Sequence, residues 1–255
     1  MNLRAPMFGI VVLMSTAAVA RALYGGAEAG PDEGAAAVRF DWRGRRASGS
    51  CSGSLVGRRS VLTAAHCVRS SAFGEHRVAS VRIGNPAGTT RVVRVSAVHV
   101  HPDFDVARPE RGSDVAVLSL VDDVTDRVPL RLATSADDPA DQGVRIRIEG
   151  FGLTMRNRRV VRTRALRVVS LEYLSPFQCF DGDVAGMARN RMCAASPSDG
   201  VCPGDSGSAA TLERDGERIV VGVVSLAIDQ STCSQTAAVL TRVSAMRPFL
   251  DGVVR

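Results

Sequence analysis

Short runs of apolar and β-branched residues, separated by turn-forming residues, recur along most of this 255-residue chain. Many short strands at even spacing are typical of an all-β sandwich or barrel, and not of βαβ units. The sequence therefore predicts an all-β fold. The runs span residues 35–40, 48–56, 59–67, 78–83, 91–100, 115–120, 144–148, 165–169, 219–225 and 238–243.

The length suits one large all-β domain or two small ones. Residues 137–143 are polar and rich in turn formers, and they lie close to the midpoint of the chain, so they are the best candidate linker. A helix is expected only at the C-terminus, beginning at Arg247 or Pro248, because proline is accepted in the first turn of a helix.

Residues 1–22 have the pattern of a secretory signal peptide, with an uncleaved anchor as the alternative. A short positive start is followed by an apolar run over residues 7–20, and Ala20-Arg21-Ala22 fits a small-x-small cleavage site. The apolar run is too short to span a bilayer comfortably. Export implies an oxidising compartment, and six cysteines suit a disulfide framework. We therefore expect a secreted, extracellular protein with no membrane association after signal cleavage.

The net charge is +6, and the basic residues are all arginine. They are scattered, apart from a local cluster over residues 156–164. A solvated surface is the favoured interpretation, and a patch that binds polyanions is the alternative. No nucleic-acid partner is expected, and the chain is expected to be a monomer.

Gly204-Asp205-Ser206-Gly207 is an unusual loop, because it places a serine between two glycines. The glycines permit backbone geometry that a Cβ would obstruct. The N–H groups of Gly204 and Ser206 could then point at one spot, where the oxyanion of an acyl-transfer intermediate would lie. A serine hydroxyl alone is a poor nucleophile, so this interpretation requires a base and a group that orients it.

Two residues earlier in the chain supply candidates for these roles. His66 ends the β-branched run that closes with Thr63-Ala64-Ala65-His66-Cys67, and Asp114 opens an apolar strand. Each residue alone is a weak signal, since a lone histidine or a turn aspartate is common. The three motifs together are very specific.

These motifs resemble those of the chymotrypsin-like (trypsin-like) serine peptidases, from Leu23 to the C-terminus. The matching segments, in the order of that family, are residues 60–67, 113–118, 150–152 and 202–207. The resemblance implies two packed six-stranded antiparallel β-barrels, over residues 23–136 and 137–255, with a short C-terminal helix. It places the catalytic residues in the cleft between the barrels.

The resemblance also implies a role for each residue. Ser206 is the nucleophile, His66 the general base and Asp114 the residue that orients the imidazole. Gly204 and Ser206 form the oxyanion hole, and Ser225 supports Asp114. The function implied is a secreted serine endopeptidase that acts on protein or peptide substrates without a cofactor or metal. Protein inhibitors are a further class of partner.

A different class of function is the alternative: a protease-like protein without catalysis that docks polyanions or receptors through its arginine-rich surface. Binding-only relatives usually lose one member of the set, which here is intact.

Spacing alone leaves the disulfide connectivity open, although Cys51 and Cys67 could pair across a hairpin. The resemblance selects one framework, which joins Cys51–Cys67, Cys179–Cys193 and Cys202–Cys233.

Members of this family need a free N-terminus whose ammonium lies beside the aspartate before the serine. The equivalent residues here are 23–26, so Leu23 would pair with Asp205. Signal cleavage after Ala22 would generate this terminus directly. Cleavage after Ala20 would instead leave a two-residue pro-segment for another protease.

The resemblance places Gly200 at the bottom of the primary specificity pocket. Without a carboxylate there, a substrate Arg or Lys would be buried unpaired, which is costly. A shift of one residue in the loop could instead bring Asp199 inward.

The side walls of that pocket should include Ala227 and Ala238, which narrow it and favour small or medium apolar residues. Leu226 stands where the family usually has tryptophan, which should loosen an adjacent subsite. Residues 225–227 should pair with the substrate backbone as an added strand.

Overall fold

The computed structural model describes residues 21–23, 26–70, 74–109, 113–156, 159–179, 189–227, 233 and 237–255. The predicted signal peptide lies outside these residues except for its last two positions. In chain order the strands are β1 (Arg21–Ala22), β2 (Ala27–Glu28), β3 (Ala37–Arg43), β4 (Ser48–Gly57), β5 (Ser60–Thr63), β6 (Arg69–Ser70), β7 (Gly74–Glu75), β8 (Ser80–Ile83), β9 (Arg91–Val100), β10 (Ala116–Leu120), β11 (Arg131–Leu132), β12 (Arg145–Gly150), β13 (Leu153–Arg156), β14 (Arg159–Arg162), β15 (Arg167–Leu174), β16 (Arg191–Ala195), β17 (Ala209–Arg214), β18 (Glu217–Ala227) and β19 (Ala238–Arg242).

Within the described residues, two α-helices accompany these strands, α1 (Pro176–Cys179) and α2 (Arg247–Val253). The expectation of a helix only at the C-terminus is therefore wrong for α1, a four-residue turn. Proline stands in the first turn of α2, as expected. Single 3-10 turns cover Ala65–Cys67, Ser135–Asp137 and Ser244–Met246. No helix among the described residues is both long and apolar enough to cross a membrane.

The first barrel is a closed ring of six antiparallel strands in the order β10-β5-β4-β3-β8-β9. Closure leaves this sheet without a free edge. β5 and β10 are almost entirely buried, and β10 pairs with β5 through Ala116 opposite Thr63. This register sets the residues just before β10 beside those just after β5.

The second barrel follows the order β18-β17-β12-β15-β16-β19 and closes because β19 also pairs with β18. The fold prediction of two six-stranded antiparallel barrels and a short C-terminal helix is therefore confirmed. Buried side chains from both barrels form one contiguous apolar cluster.

Segments from each end of the chain cross between the barrels. The N-terminal strand β2 pairs with β15 of the second barrel. After α2, the N–H of Arg255 donates to Ser60 Oγ at 2.8 Å, so the C-terminus lies against the first barrel. The predicted linker begins at Asp137, which is the last residue of a 3-10 turn. The division at 136/137 stays a prediction.

Three disulfides join all six cysteines in the pairs that the resemblance selected. Cys51–Cys67 links β4 to the turn after β5, and Cys179–Cys193 links α1 to β16. Cys202–Cys233 ties the loop before Ser206 to the segment after β18.

Candidate active site

Asp114 lies just before β10 and is fully buried. Because β10 pairs with β5, the carboxylate of Asp114 lies beside the 3-10 turn that carries His66. The backbone N–H of His66 donates to Asp114 Oδ1 at 2.9 Å, and His66 Nδ1 lies 2.8 Å from Asp114 Oδ2. Two contacts to one carboxylate fix both the position of the turn and the plane of the imidazole. The imidazole keeps 29% side-chain exposure, so its other edge is open to the cleft.

Asp114 is also held from the second barrel. Ser225 Oγ in β18 donates to Asp114 Oδ2 at 2.5 Å. The hydroxyl of Thr241 in β19 donates to the Asp114 carbonyl at 3.0 Å. Sequence reasoning did not identify Thr241, since a threonine in a strand gives no functional signal. The Asp–His pair therefore lies where the two barrels meet.

These contacts shift the pKa values of both groups. Burial alone would raise the pKa of Asp114, but the nearby His66 charge and the hydrogen bonds from His66 and Ser225 bring it below its usual value. Burial alone would lower the pKa of His66, but attraction and hydrogen bonding to Asp114 outweigh it and raise the pKa. The pair therefore favours a charged carboxylate that can stabilise an imidazolium.

Ser206 lies in a loop whose flanking glycines adopt backbone angles unfavourable for other residues. The φ angles are 97° at Gly204 and 84° at Gly207. Within the described residues, neither the Gly204 nor the Ser206 N–H donates a hydrogen bond, so both amides are free to bind a ligand oxygen. The N–H of Gly207 is used internally, donating to the Val224 carbonyl at 2.8 Å.

Ser52, in β4 of the first barrel, fixes this loop and was not identified from the sequence. Its N–H donates to the Ser206 carbonyl, and its hydroxyl donates to the Gly204 carbonyl, each at 2.9 Å. The Phe151 N–H donates to the same hydroxyl at 3.1 Å. These contacts fix the peptide groups on either side of the Asp205–Ser206 bond. The peptide planes that carry the Gly204 and Ser206 N–H groups are held by the N–H groups of Leu153 and Ser208, which donate to the Pro203 and Asp205 carbonyls at 2.8 and 2.9 Å.

His66 and Ser206 line one cavity of about 350 Å³. The imidazole Nε2 lies 3.8 Å from Cys67 Sγ, and among the described residues no hydrogen bond joins it to the Ser206 hydroxyl. The structure thus brings the three predicted catalytic residues to one cleft. Asp114 is hydrogen-bonded directly to His66, whereas among the described residues no hydrogen bond joins the Ser206 hydroxyl to either of them.

The rest of this cavity comes mainly from the second barrel. Ser225, Leu226 and Ala227, three of the residues expected to bind substrate, line it. Gly200 and Ala238 are buried and are not among its described lining residues. Sequence reasoning did not identify the remaining lining residues, which are Pro109, Val201, Cys202, Pro203 and Val224.

Asp199, the alternative candidate for a carboxylate in the pocket, forms hydrogen bonds within its own loop. It accepts hydrogen bonds from the Ser196 hydroxyl at 3.3 Å and the Ser198 hydroxyl at 3.1 Å. It is not among the described residues that line the cavity. The described cavity therefore carries no acidic side chain to pair with a substrate Arg or Lys.

Asp205, next to the serine, is fully buried. Its carboxyl accepts hydrogen bonds from the N–H of Gly152 at 2.8 Å and of Cys202 at 2.9 Å. Burial raises the pKa of Asp205 to about 7, although both N–H groups favour the charged form. Leu23 is also fully buried, but here it is peptide-bonded to Ala22 and has no ammonium group. The Leu23–Asp205 ion pair stays a prediction for the cleaved chain.

Cys51, Cys67 and His66 form the one described grouping with the spacing of a metal site. The two sulfurs are joined in a disulfide, whereas a metal ligand must be a thiolate. This grouping therefore does not suit a metal.

An aspartate–histidine pair and a glycine-flanked serine, in a cleft between two six-stranded antiparallel barrels, define the chymotrypsin-like class of serine hydrolases. Sequence comparison agrees, since the Trypsin family profile matches residues 23–250. This match covers most of the chain, which therefore belongs to the trypsin family and is a serine endopeptidase.

Individual relatives are moderately similar. "Serine protease Hayan" of Drosophila melanogaster is 30% identical over 223 residues, which are 80% of this chain and 34% of that protein. "Chymotrypsin-like elastase family member 1" of Rattus norvegicus is 29% identical over 212 residues, or 80% of this chain and 79% of the relative. The Homo sapiens protein of that name is 27% identical over 237 residues, which are 90% of this chain and 91% of that protein. The chain thus spans about a third of Hayan and most of the elastases.

Proposed function

We propose that this protein hydrolyses peptide bonds through His66, Asp114 and Ser206, with an acyl-enzyme intermediate. The observation that carries this proposal is the double contact of Asp114 with His66, at the cavity that His66 shares with Ser206. Ser206 Oγ attacks the carbonyl carbon while His66 Nε2 takes its proton, and His66 then protonates the leaving amine. Asp114 holds the imidazole in the required tautomer and stabilises its charged form.

The Gly204 and Ser206 N–H groups are the proposed oxyanion hole. Both amides are unused among the described residues, and both neighbouring carbonyls are held by Ser52. A preorganised donor of this kind contributes about 3–4 kcal/mol to transition-state stabilisation. The Ser206–His66 hydrogen bond would form as substrate binds, since such bonds commonly tighten only in the complex.

Labelling with a serine-directed fluorophosphonate tests this assignment. We expect the secreted protein to become labelled at Ser206, and the Ser206→Ala variant to remain unlabelled and inactive. Ser208→Ala is a matched control, since this serine lies two residues away and is fully buried. Equal labelling of the Ser206→Ala variant would contradict the assignment. The alternative of a binding protein without catalysis is not favoured by the family assignment.

We further propose that the enzyme prefers small or medium apolar side chains before the scissile bond. Val201, Leu226 and Ala227 give the cavity an apolar lining, and the described lining includes no acidic residue. Profiling against a peptide library tests this preference. Dominant cleavage after Arg or Lys would overturn it.

Secretion and direct maturation by signal peptidase complete the proposed function. The three disulfides support export to an oxidising compartment. Cleavage after Ala22 would release the Leu23 ammonium for pairing with Asp205. N-terminal sequencing of the secreted form should therefore begin at Leu23, and a stable, inactive species beginning at Arg21 would refute direct maturation.

A further inference from the structure

The outer surface of the first barrel carries two pairs of arginines, and the two members of each pair lie opposite each other on neighbouring backbone segments. Arg39 in β3 is directly opposite Arg82 in β8. Four residues further along β3, Arg43 is paired with Arg77 by two backbone hydrogen bonds of 3.0 and 2.8 Å. Since alternate residues of a strand share a face, Arg39 and Arg43 lie on the same side of β3.

Like charges placed directly opposite each other destabilise a sheet. Nevertheless, within the described residues none of these four arginines forms an ion pair with a carboxylate. Arginines elsewhere do, as in the pairs Arg131–Asp137, Arg147–Glu33 and Arg242–Asp138. An arrangement that costs stability and leaves its charges unneutralised indicates a site for an external anion.

The arginines line two adjoining cavities. Arg39, Arg82 and Arg164 line one of about 510 Å³. Arg43, Arg77 and Arg162 line the other, of about 490 Å³. Asp41, between Arg39 and Arg43 on β3, lines both, so the two cavities adjoin at this residue. We call the six arginines together the arginine groove.

The surroundings of the arginine groove favour a peptide over a uniformly charged polymer. Val92 is 55% exposed and, with Pro86, gives the larger cavity an apolar wall. The Asp41 carboxylate lies between the two arginine pairs and would repel an anion at that point. A ligand with spaced carboxylates and apolar side chains between them fits both features, because guanidinium groups bind carboxylates in a bidentate manner.

We infer that the arginine groove is a docking site for an acidic segment of a protein, in which acidic and apolar side chains alternate. The groove shares no described lining residue with the cavity that contains Ser206. This inference therefore goes beyond peptide hydrolysis and does not depend on it.

Binding to the catalytically disabled Ser206→Ala chain tests the inference directly. The probe is a fluorescein-labelled peptide of alternating glutamate and leucine, followed by fluorescence anisotropy. The Arg77→Gln/Arg82→Gln variant removes one arginine of each opposed pair and should weaken binding about tenfold. The matched control Arg58→Gln/Arg145→Gln removes two exposed arginines that form no ion pair in the described chain, and it should change affinity less than about twofold.

Two more measurements separate a binding role from a structural one. Arg77→Gln/Arg82→Gln should unfold at the same temperature as the parent chain or higher, because it relieves two like-charge pairs. Asp41→Asn should tighten peptide binding, because it removes the one acidic residue among the described residues that line the groove.

Three results would overturn the inference. The first is equal loss of affinity in the two double variants, which would show only general charge attraction. The second is tight binding of a heparin fragment together with no binding of the peptide, which would assign the groove to a polysaccharide. The third is the absence of salt-dependent peptide binding to the parent chain.

Discussion

The N–H of Gly152 donates a 2.8 Å hydrogen bond to Oδ1 of Asp205, and no side chain fits between them. A Cβ at residue 152 would lie 2.5 Å from the carboxyl carbon of Asp205. Asp205 immediately precedes Ser206, so this contact sets the position of the serine loop. The glycine is required here for close approach of the backbone to a buried carboxyl.

Gly152→Ala should therefore destabilise the protein by roughly 1–3 kcal/mol and lower activity, because the carboxyl must move within a packed interior. Urea unfolding and peptide-amide hydrolysis measure the two effects. Gly252→Ala is the control, since a Cβ there meets nothing within 4 Å and the residue lies in α2. This variant should be neutral or more stable. Equal stability of both variants would contradict the proposed packing.

The buried Asp205 carboxyl makes the stability of the uncleaved chain depend on pH. Its folded pKa of about 7 is above the ordinary value of about 3.9. Between these values the unfolded chain has lost a proton that the folded chain retains. The stabilisation is therefore complete below about pH 4 and is lost as pH rises to about 7, by roughly 1 kcal/mol per unit.

Chemical denaturation of the uncleaved chain across this range measures the effect. Asp205→Asn is the control, since it cannot titrate and should show a flatter dependence. In the cleaved form, pairing with the Leu23 ammonium would favour the carboxylate and remove the decline. The same slope in the parent and Asp205→Asn chains would show that Asp205 is not its source.

Asp114→Asn should reduce kcat by about 10⁴-fold, the loss typical of this exchange in such triads. The asparagine amide can present a donor where His66 now finds an acceptor, which favours the wrong imidazole tautomer. Hydrolysis of a small peptide amide at neutral pH provides the measurement, with circular dichroism to show that the fold persists. A loss below about 100-fold would argue against the proposed role.

Activity should also fall at acid pH as His66 becomes protonated, with a midpoint above the ordinary histidine value of about 6.5, because Asp114 raises the pKa of His66. Asp114→Asn should shift that midpoint down. A rate that stays flat from about pH 5 to pH 7 would contradict the general-base role of His66.

Ser225→Ala should cost about 1–3 kcal/mol of stability at neutral pH, because it removes a hydrogen bond to a buried carboxylate. That bond helps to lower the pKa of Asp114, so its contribution is present above the unfolded value and is lost as pH falls through the folded one. The difference in stability between the parent chain and the Ser225→Ala variant should therefore shrink as the pH falls.

Ser208→Ala is the matched control for this experiment. The Ser208 hydroxyl is buried and has no hydrogen-bond partner in the described chain. Its removal should be neutral or stabilising, since a buried unsatisfied hydroxyl is costly. If the two serine variants lost equal stability, the Ser225–Asp114 bond would not be the cause.

The predictability of each strand followed from how clearly its residues showed an alternating pattern. β9 was predicted with its observed bounds because alternation and β-branched residues extend over residues 91–100. β16 and β17 were not predicted, because their buried residues are mostly alanine, methionine or cysteine and do not alternate. Burial on both faces removes the periodic signal.

The residues of the candidate site also differ in how clearly the sequence identifies them. His66, Asp114 and Ser206 could be identified because each lies in a distinctive local motif. Ser52 could not, since its importance depends on contacts with Gly204 and Ser206, about 150 residues away in sequence. The cavity lining likewise depends on packing between distant segments, which a single sequence does not reveal.

Ala227 is where the width of the specificity pocket can be tested. It lies at the end of β18 and lines the cavity, directly opposite Ala238 of β19, which is fully buried and is not among the described lining residues. Ala227→Gly removes a methyl group from the wall. The ratio of kcat/KM for phenylalanine over alanine substrates should then rise about tenfold, the range for a small change in an apolar pocket.

Ala238→Gly tests whether Ala238 contributes to the width of the pocket, since the sequence predicted both Ala227 and Ala238 as its side walls. Because Ala238 does not line the described cavity, its replacement should change the phenylalanine-to-alanine ratio less than about threefold while costing roughly 0.5–1 kcal/mol of strand stability. Peptide amides that differ only in the residue before the scissile bond measure both ratios. A larger change in specificity from Ala238→Gly than from Ala227→Gly would reassign the wall to β19. The preference for small side chains would then depend on the spacing of β18 and β19, and not on the methyl group of Ala227 that lines the cavity.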